Sequence, residues 1–283
     1  MPFPSGYTSP KSHEERLGQI NEQLDRCRAY TSEARPILDG SSLAADDKLF
    51  PLFTPSSLAW HGICSAVDHL DLFMAVLRTG TSHPLAPNTV ARTGMLSGAH
   101  ALWILDGPDR VERQKRGLRL AYEEFFRDHQ AVQDIATIES PDPQAGLDEM
   151  KDYLDARIEW MERAVKVGGQ LGMTAKEVKT FNDDTKLLDE VARRLVERDP
   201  EDRELIRAVR VVWRTYSGVA HGLRWPVMYR AQYGEPVPGD RPGSVEARVT
   251  NSTADLSMAA SSIGIFLLNA VSLYERRRKP AGE

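Results

Sequence analysis

Apolar residues recur every three to four positions along most of this sequence, and this spacing constrains the fold more than any other feature. The period predicts helices over 12–38, 56–78, 89–105, 109–138, 147–165, 183–198, 200–221 and 253–277. Breaks rich in proline, at 81–88 and 140–146, separate some of them. No alternation of strands and helices suggests a Rossmann fold or a barrel. The sequence therefore predicts an all-α fold.

The expected architecture is a helical bundle of six to eight helices with one small β-hairpin insertion before the last helix. The insertion is placed at 226–250, where polar and apolar residues alternate around a middle rich in proline and glycine. Pro51 and Pro55 interrupt the chain, so residues 1–55 are expected to form an N-terminal helical arm and linker. Residues 56–283 would then form the bundle, with Ser56 as the N-cap of its first helix.

Composition and charge narrow the class of protein. Hydrophobic residues make up 41% and charged residues 27%, as in soluble globular proteins. A net charge of −5 argues against broad coating of a nucleic acid but leaves room for a local basic groove. Cys27 and Cys64 form no CxxC pair, and no signal peptide is visible, so a cytoplasmic protein is expected. The apolar stretch 257–274 is interpreted as a buried core helix, without membrane association.

The helix predicted at 200–221 has two sharply different faces. Steps of about 100° per residue place one apolar set on the core side. This set consists of Leu205, Val209, Val212, Tyr216, Val219 and Ala220. The opposite side carries Arg203, Arg207, Arg210, Arg214 and His221, with Ser217 at its edge. The helix thus presents a continuous basic stripe that ends in a histidine.

Arg214 and His221 are the candidate catalytic pair on this stripe. They are two turns apart, about 10 Å along the helix axis. A guanidinium binds phosphate bidentately, and an imidazole can move protons near neutral pH, so a phosphate between them could contact both. Arg203, Arg207, Arg210 and Ser217 would add RNA-binding contacts. The alternative is an ordinary solvated face of an amphipathic helix.

The arrangement resembles the HEPN superfamily, named for higher eukaryotes and prokaryotes nucleotide-binding. The resemblance rests on Arg214, six residues and His221 near the end of a late helix, in the setting YSGVAHG (216–222). The earlier segment ARTGMLSGAHALWIL (91–105) adds to it, and the likeness extends over about 56–278. Many active members carry a polar residue directly after the arginine, and Thr215 stands at that position here.

The resemblance implies a metal-independent endoribonuclease that acts as a homodimer, without a cofactor. The histidine would serve as acid or base at the ribose 2′-OH or the leaving oxygen, and the arginine would stabilise the phosphorane charge. Toxin or phage-defence proteins of this kind act on RNA and can pair with a cognate antitoxin. Many members lack activity, so the alternative is a non-catalytic binding or dimerisation module with a regulatory role.

Two further groups of residues are weaker candidates. Arg92 and His100 share one helix and would border the groove of Arg214, although His100 also fits a satisfied interior histidine. His61 shares a helical face with Cys64 and Asp68, but packing explains this set better than a metal, and no metal is expected.

Two more features leave alternatives open. The basic run at 109–119 would contact an RNA backbone or form intrahelical pairs with Glu112, and we favour the pairs. A small-ligand pocket between helices near Trp60, Trp103 and Trp213 is a third functional hypothesis.

Overall fold

The structure is a computed structural model that describes residues 12–80, 83–138, 142–181, 183–198, 203–242 and 244–282. Helices dominate it, which confirms the predicted helical class. The long helices are α1 (His13–Thr31), α3 (Pro55–Arg78), α4 (Ala86–Leu105), α5 (Arg110–Ile138), α7 (Lys151–Gln170), α9 (Asp184–Arg198), α10 (Arg203–Ala220) and α12 (Thr253–Arg277). The short helices are α2 (Ser42–Asp47), α6 (Pro143–Glu149), α8 (Ala175–Lys179) and α11 (Trp225–Arg230).

Four short strands lie between α11 and α12. They are β1 (Ala231–Tyr233), β2 (Val237–Pro238), β3 (Val245–Glu246) and β4 (Val249–Asn251). β1 pairs antiparallel with β4, and β2 pairs antiparallel with β3. The expected count of six to eight helices and the single hairpin are not confirmed, because the described residues form twelve helices and two two-stranded sheets.

Contacts within the chain divide it into two compact units. The first consists of Met1–Arg35, His61–Leu102 and Asp184–Leu273, and the second of Pro36–Trp60, Trp103–Asp183 and Tyr274–Glu283. Helices α3, α4 and α12 contribute residues to both. The boundary expected after residue 55 stays a prediction.

The first unit packs three of its helices closely through glycines. A Cβ at Gly62 of α3 would lie 2.7 Å from the carbonyl oxygen of Ser97 on α4. A Cβ at Gly98 of α4 would lie 3.3 Å from Cβ of Phe266 on α12. Side chains larger than hydrogen would push these helices apart, so the small residues of 91–105 serve close packing.

Helix α12 is long and apolar enough to span a membrane by length and composition alone. However, 61% of its most apolar window is buried within the protein. Ile263, Phe266 and Leu267 are among its fully buried side chains. This burial favours the interpretation of 257–274 as a core helix.

The second unit places the basic run of 109–119 in internal contacts. Arg113 and Arg116 are buried, and Arg113 forms a bidentate pair with Asp46 at 2.7 and 3.0 Å. Arg116 Nε lies 3.0 Å from Glu112 Oε1, and its Nη1 donates to the carbonyl of Trp103 at 2.7 Å. The pair of Arg116 with Glu112 is of the intrahelical kind that was favoured for this run, whereas the buried pair of Arg113 with Asp46 joins two helices and was not predicted.

The prediction of Ser56 as an N-cap is wrong. Helix α3 begins at Pro55, where a missing N–H has no cost, and the Ser57 N–H donates to Thr54 Oγ1 at 3.2 Å. Ser56 instead bonds Asp47, since its N–H donates to Oδ1 at 3.1 Å and its hydroxyl to Oδ2. Thr54 caps the helix because Pro55 occupies the first helical position, so the N-cap lies two residues earlier than predicted.

Candidate functional site

Helix α10 has the two faces that its sequence predicts. Val209, Val212 and Tyr216 are buried, at 0%, 1% and 0% exposure. The charged side is exposed, and its described members are Arg207, Arg210, Arg214 and His221, here called the basic face. The side chains of Arg203 and Leu205 lie outside the described part of the structure.

Two details of the buried side differ from the prediction. Trp213 and Thr215 are each 5% exposed and join the core. Val219 is half-buried and Ala220 is exposed, because α10 ends at Ala220 and its last turn extends beyond the packed side chains. Thr215 therefore lies away from the basic face, although the family resemblance assigned importance to a polar residue at that position.

His221 occupies the C-cap of α10 in a Schellman motif. The Leu223 N–H donates to the carbonyl of Gly218 at 2.9 Å, and the Gly222 N–H donates to that of Val219 at 2.9 Å. Gly222 has φ of +71°, a left-handed conformation that a Cβ would strain. The Gly-x-x-His-Gly pattern is therefore first of all a helix stop, which leaves the imidazole of His221 exposed.

Arg214 and His221 do not meet within one chain. The helix continues without a break through Gly218, so the two residues stay about 10 Å apart in rise. Within the described residues, neither side chain makes a hydrogen bond or an ion pair. Arg210, by contrast, lies 2.6 Å from Asp189 on α9, so its charge is partly balanced.

Arg92 of α4 reaches α10 beside these two residues. Its Nε donates to Ser217 Oγ at 3.0 Å, and its guanidinium carbon lies 4.4 Å from the centre of the Trp213 ring. Asp184 Oδ2 is 4.0 Å from its Nη2, a loose ion pair. Trp213 is fixed in turn, because its indole N–H donates to Thr185 Oγ1 at 2.9 Å. Arg92 is thus held against the edge of the basic face, as the sequence suggested.

His100 lies on α4 about two turns after Arg92, and it approaches the same aspartate, Asp184. Its Nε2 is 3.9 Å from Asp184 Oδ1, and its side chain is 22% exposed. Burial lowers the pKa of His100 to about 4, so its imidazole is neutral near pH 7. A neutral, mostly enclosed ring fits the interior histidine better than a proton donor for a substrate.

His61 is exposed on α3, and Cys64 is half-buried one turn later. Among the residues that the structure describes, no three histidine, cysteine, aspartate or glutamate side chains converge to hold a metal ion. Cys27, the other cysteine, is buried in α1, and burial raises its pKa to about 12, which keeps the thiol protonated.

Trp225 is a residue at this site that the sequence reasoning missed. Its ring lies against Gly218, where a Cβ would come within 3.1 Å of Cζ2 and 3.3 Å of Cε2. Gly218 follows Arg214 by one turn, on the same side of the helix. The signal was present in the sequence as a glycine on the polar side of an amphipathic helix, followed closely by a tryptophan.

No family model matches the chain, and neither a curated protein nor a solved structure matches it. The likeness to the HEPN superfamily therefore rests on the residues named above, and what it implies about activity stays a hypothesis.

Proposed function

We propose that this chain binds single-stranded RNA on the basic face of α10 and cleaves it without a metal ion. The observation that most supports the proposal is the contact between Arg92 and Ser217 at 3.0 Å. Ser217 lies between Arg214 and His221 on the helix, so two guanidiniums from separate helices, a hydroxyl and an imidazole border one strip of surface. Phosphate is the ligand that suits paired guanidiniums best.

The cleavage step needs only proton transfers and charge stabilisation. The imidazole of His221 accepts the proton of the ribose 2′-OH while O2′ attacks phosphorus. The bond from phosphorus to O5′ breaks, and the imidazolium returns a proton to O5′. Arg214 stabilises the extra negative charge of the phosphorane. The products are a 2′,3′-cyclic phosphate and a 5′-hydroxyl, so no water, electron or metal is consumed.

The separation of the two residues argues for a homodimer. About 10 Å of rise prevents Arg214 and His221 of one chain from contacting the same phosphate oxygen. Two copies with opposed basic faces would pair the arginine of one with the histidine of the other. In this proposal the chain acts in the cytoplasm in a toxin or phage-defence role, and a cognate antitoxin would cover the basic face.

The test is incubation of purified protein with mixed single-stranded RNA in EDTA. We expect cleavage to 2′,3′-cyclic phosphate ends, and a loss of about 100-fold or more in His221→Ala. Arg163→Ala removes an exposed arginine from α7 and should keep the wild-type rate. Intact RNA after incubation with folded wild-type protein would contradict the catalytic proposal.

A second candidate function is RNA binding or dimerisation without cleavage. The Schellman motif supports it, because the hydrogen bonds at 218–223 explain His221 and Gly222 without any chemistry. In that case RNA stays intact, yet its affinity falls when Arg214 is replaced by alanine. A folded, monomeric protein that neither binds nor cleaves RNA would contradict both candidates.

A further inference from the structure

Trp225 exposes a large part of its ring to solvent at the end of α10. Its side chain is 42% exposed, although tryptophan carries more apolar area than any other residue. The ring nevertheless packs against α10, because Gly218 has no side chain at this point. A Cβ there would come within 2.7 Å of Pro226 Cγ and 3.1 Å of Trp225 Cζ2. The glycine therefore seats an exposed indole against α10.

The ring borders the basic face on the side opposite Arg92. On the helical wheel, Ser217 lies about 60° to one side of Arg214, and Gly218 lies about 40° to the other. Arg92 contacts Ser217, and Trp225 contacts Gly218. The guanidinium of Arg214 is thus flanked by a second cation on one side and by an aromatic ring on the other.

Proteins bind single-stranded nucleic acids with cations that lie beside an exposed aromatic ring. The phosphates follow the positive charges, and an unpaired base stacks on the ring face. A protein partner or a lipid surface would also use the exposed apolar side chains nearby, Leu223 and Met228. The two neighbouring cations, Arg92 and Arg214, favour a polyanion over either of these.

We infer that Trp225 is a stacking platform for one base of a single-stranded RNA whose adjacent phosphate lies on Arg214. This inference rests on the proposed function, and it adds that one base of the bound RNA contacts the ring of Trp225. Stacking on an indole is tolerant of sequence, because every base has a π face. The site would therefore select unpaired over paired RNA.

The test measures the affinity of the full chain for two labelled probes in EDTA at low salt. One probe is a single-stranded 2′-O-methyl RNA 12-mer, which has no free 2′-OH and so resists the proposed cleavage, and the other is an abasic 12-mer with the same 2′-O-methyl backbone but no bases. We expect Trp225→Ala to weaken RNA binding about 5- to 100-fold and to leave the abasic probe unchanged. Trp225→Phe should retain most of the affinity, since its ring also stacks. Arg214→Ala should weaken both probes.

Each other outcome contradicts the inference in a distinct way. Wild-type RNA binding that Trp225→Ala leaves intact would overturn the stacking role while the proposed function stands. An equal loss of affinity for both probes would show that Trp225 has a structural role. A lower melting temperature of Trp225→Phe would then show that the role is in folding. Binding to phosphatidylserine vesicles but not to RNA would overturn both proposals in favour of a membrane surface. Failure of wild-type protein to bind either RNA or vesicles would also overturn both.

Discussion

Helices α7 and α10 end in the same motif but in different surroundings. In α7, the Met173 N–H donates to the carbonyl of Gly168 at 2.9 Å, and Gly172 has φ of +76°. In α10, Leu223 and Gly218 make the same bond at 2.9 Å. Both ends are Schellman motifs that have glycine at C3 and at C′ and an apolar residue at C″.

The difference lies in what the apolar residue contacts. Met173 is 7% exposed and closes a core, whereas Leu223 is 51% exposed. The C-cap residue of α7 is the half-buried Leu171, and that of α10 is the exposed His221. The glycines are thus explained by backbone geometry at both ends. Of the two ends, only that of α10 leaves its C″ residue exposed, beside the exposed side chain of His221.

The largest expected difference comes from shortening the apolar C″ residue at each end. Met173→Ala should lower the free energy of unfolding by about 3 kcal/mol, because it leaves a cavity in a packed site. Leu223→Ala should change it by less than about 0.5 kcal/mol, because the side chain is largely in water. Urea unfolding of the two variants measures both values. Equal losses of unfolding free energy in the two variants would contradict the claim that only Met173 packs in a core.

Acid should destabilise the surroundings of α10 through His100. Its pKa is about 4 in the folded chain and about 6.5 in an unfolded one. Between these values the unfolded chain binds a proton that the folded chain does not, so stability falls as pH drops from 6.5 to 4. The loss amounts to about 3 kcal/mol.

This loss is measured by urea unfolding at pH 7 and pH 4.5 for the wild type and for His100→Gln. The wild type should lose more stability than the variant, because only the wild type carries the buried imidazole. Parallel losses in both proteins would show that His100 does not titrate as its burial implies.

Alanine at the C3 glycines should have unequal effects. At Gly168 a Cβ would come within 2.3 Å of Val178 Cγ2, a fully buried side chain. The overlap should cost about 2 kcal/mol after the better helix propensity of alanine is included. At Gly218 a Cβ would come within 2.7 Å of Pro226 Cγ, but Pro226 and Trp225 belong to the short helix α11, which we expect to shift outward, so the loss should be smaller, about 1 kcal/mol. Comparable melting temperatures for the two variants would contradict this.

The smallest effect is expected at the left-handed glycines, and it should be the same at both ends. Gly172→Ala and Gly222→Ala each place a Cβ on a residue with positive φ, at +76° and +71°. Each should cost about 1 kcal/mol, because the strain depends on the backbone and not on the surroundings. A clear difference between the two variants in thermal unfolding would show that the motifs are not equivalent.

Local periodicity was enough to predict the long helices and the faces of α10. The last helix was expected at 253–277 and is Thr253–Arg277, and Val209, Val212 and Tyr216 are buried as their spacing predicted. Short helices such as α2 and α8 were missed, because five or six residues give too little periodic signal.

Contacts between elements distant in sequence were mostly beyond prediction. The bond from Arg92 to Ser217 spans 125 positions, so only the packing of α4 against α10 determines it. Trp225 was missed because its contact with Gly218 depends on how α11 packs against α10, which a helical wheel does not describe. The pairing of Arg210 with Asp189 was not predicted for a similar reason, since Asp189 lies on another helix.

The most direct test of the central claim is an exchange of the two C-cap residues. His221→Leu gives α10 the C-cap residue of α7, and Leu171→His gives α7 that of α10. Both substitutions keep the Schellman bonds, so both variants should fold. Cleavage of single-stranded RNA in EDTA should fall about 100-fold or more in His221→Leu and should stay at the wild-type rate in Leu171→His. Equal rates in wild type and His221→Leu would contradict the claim that His221 acts on RNA.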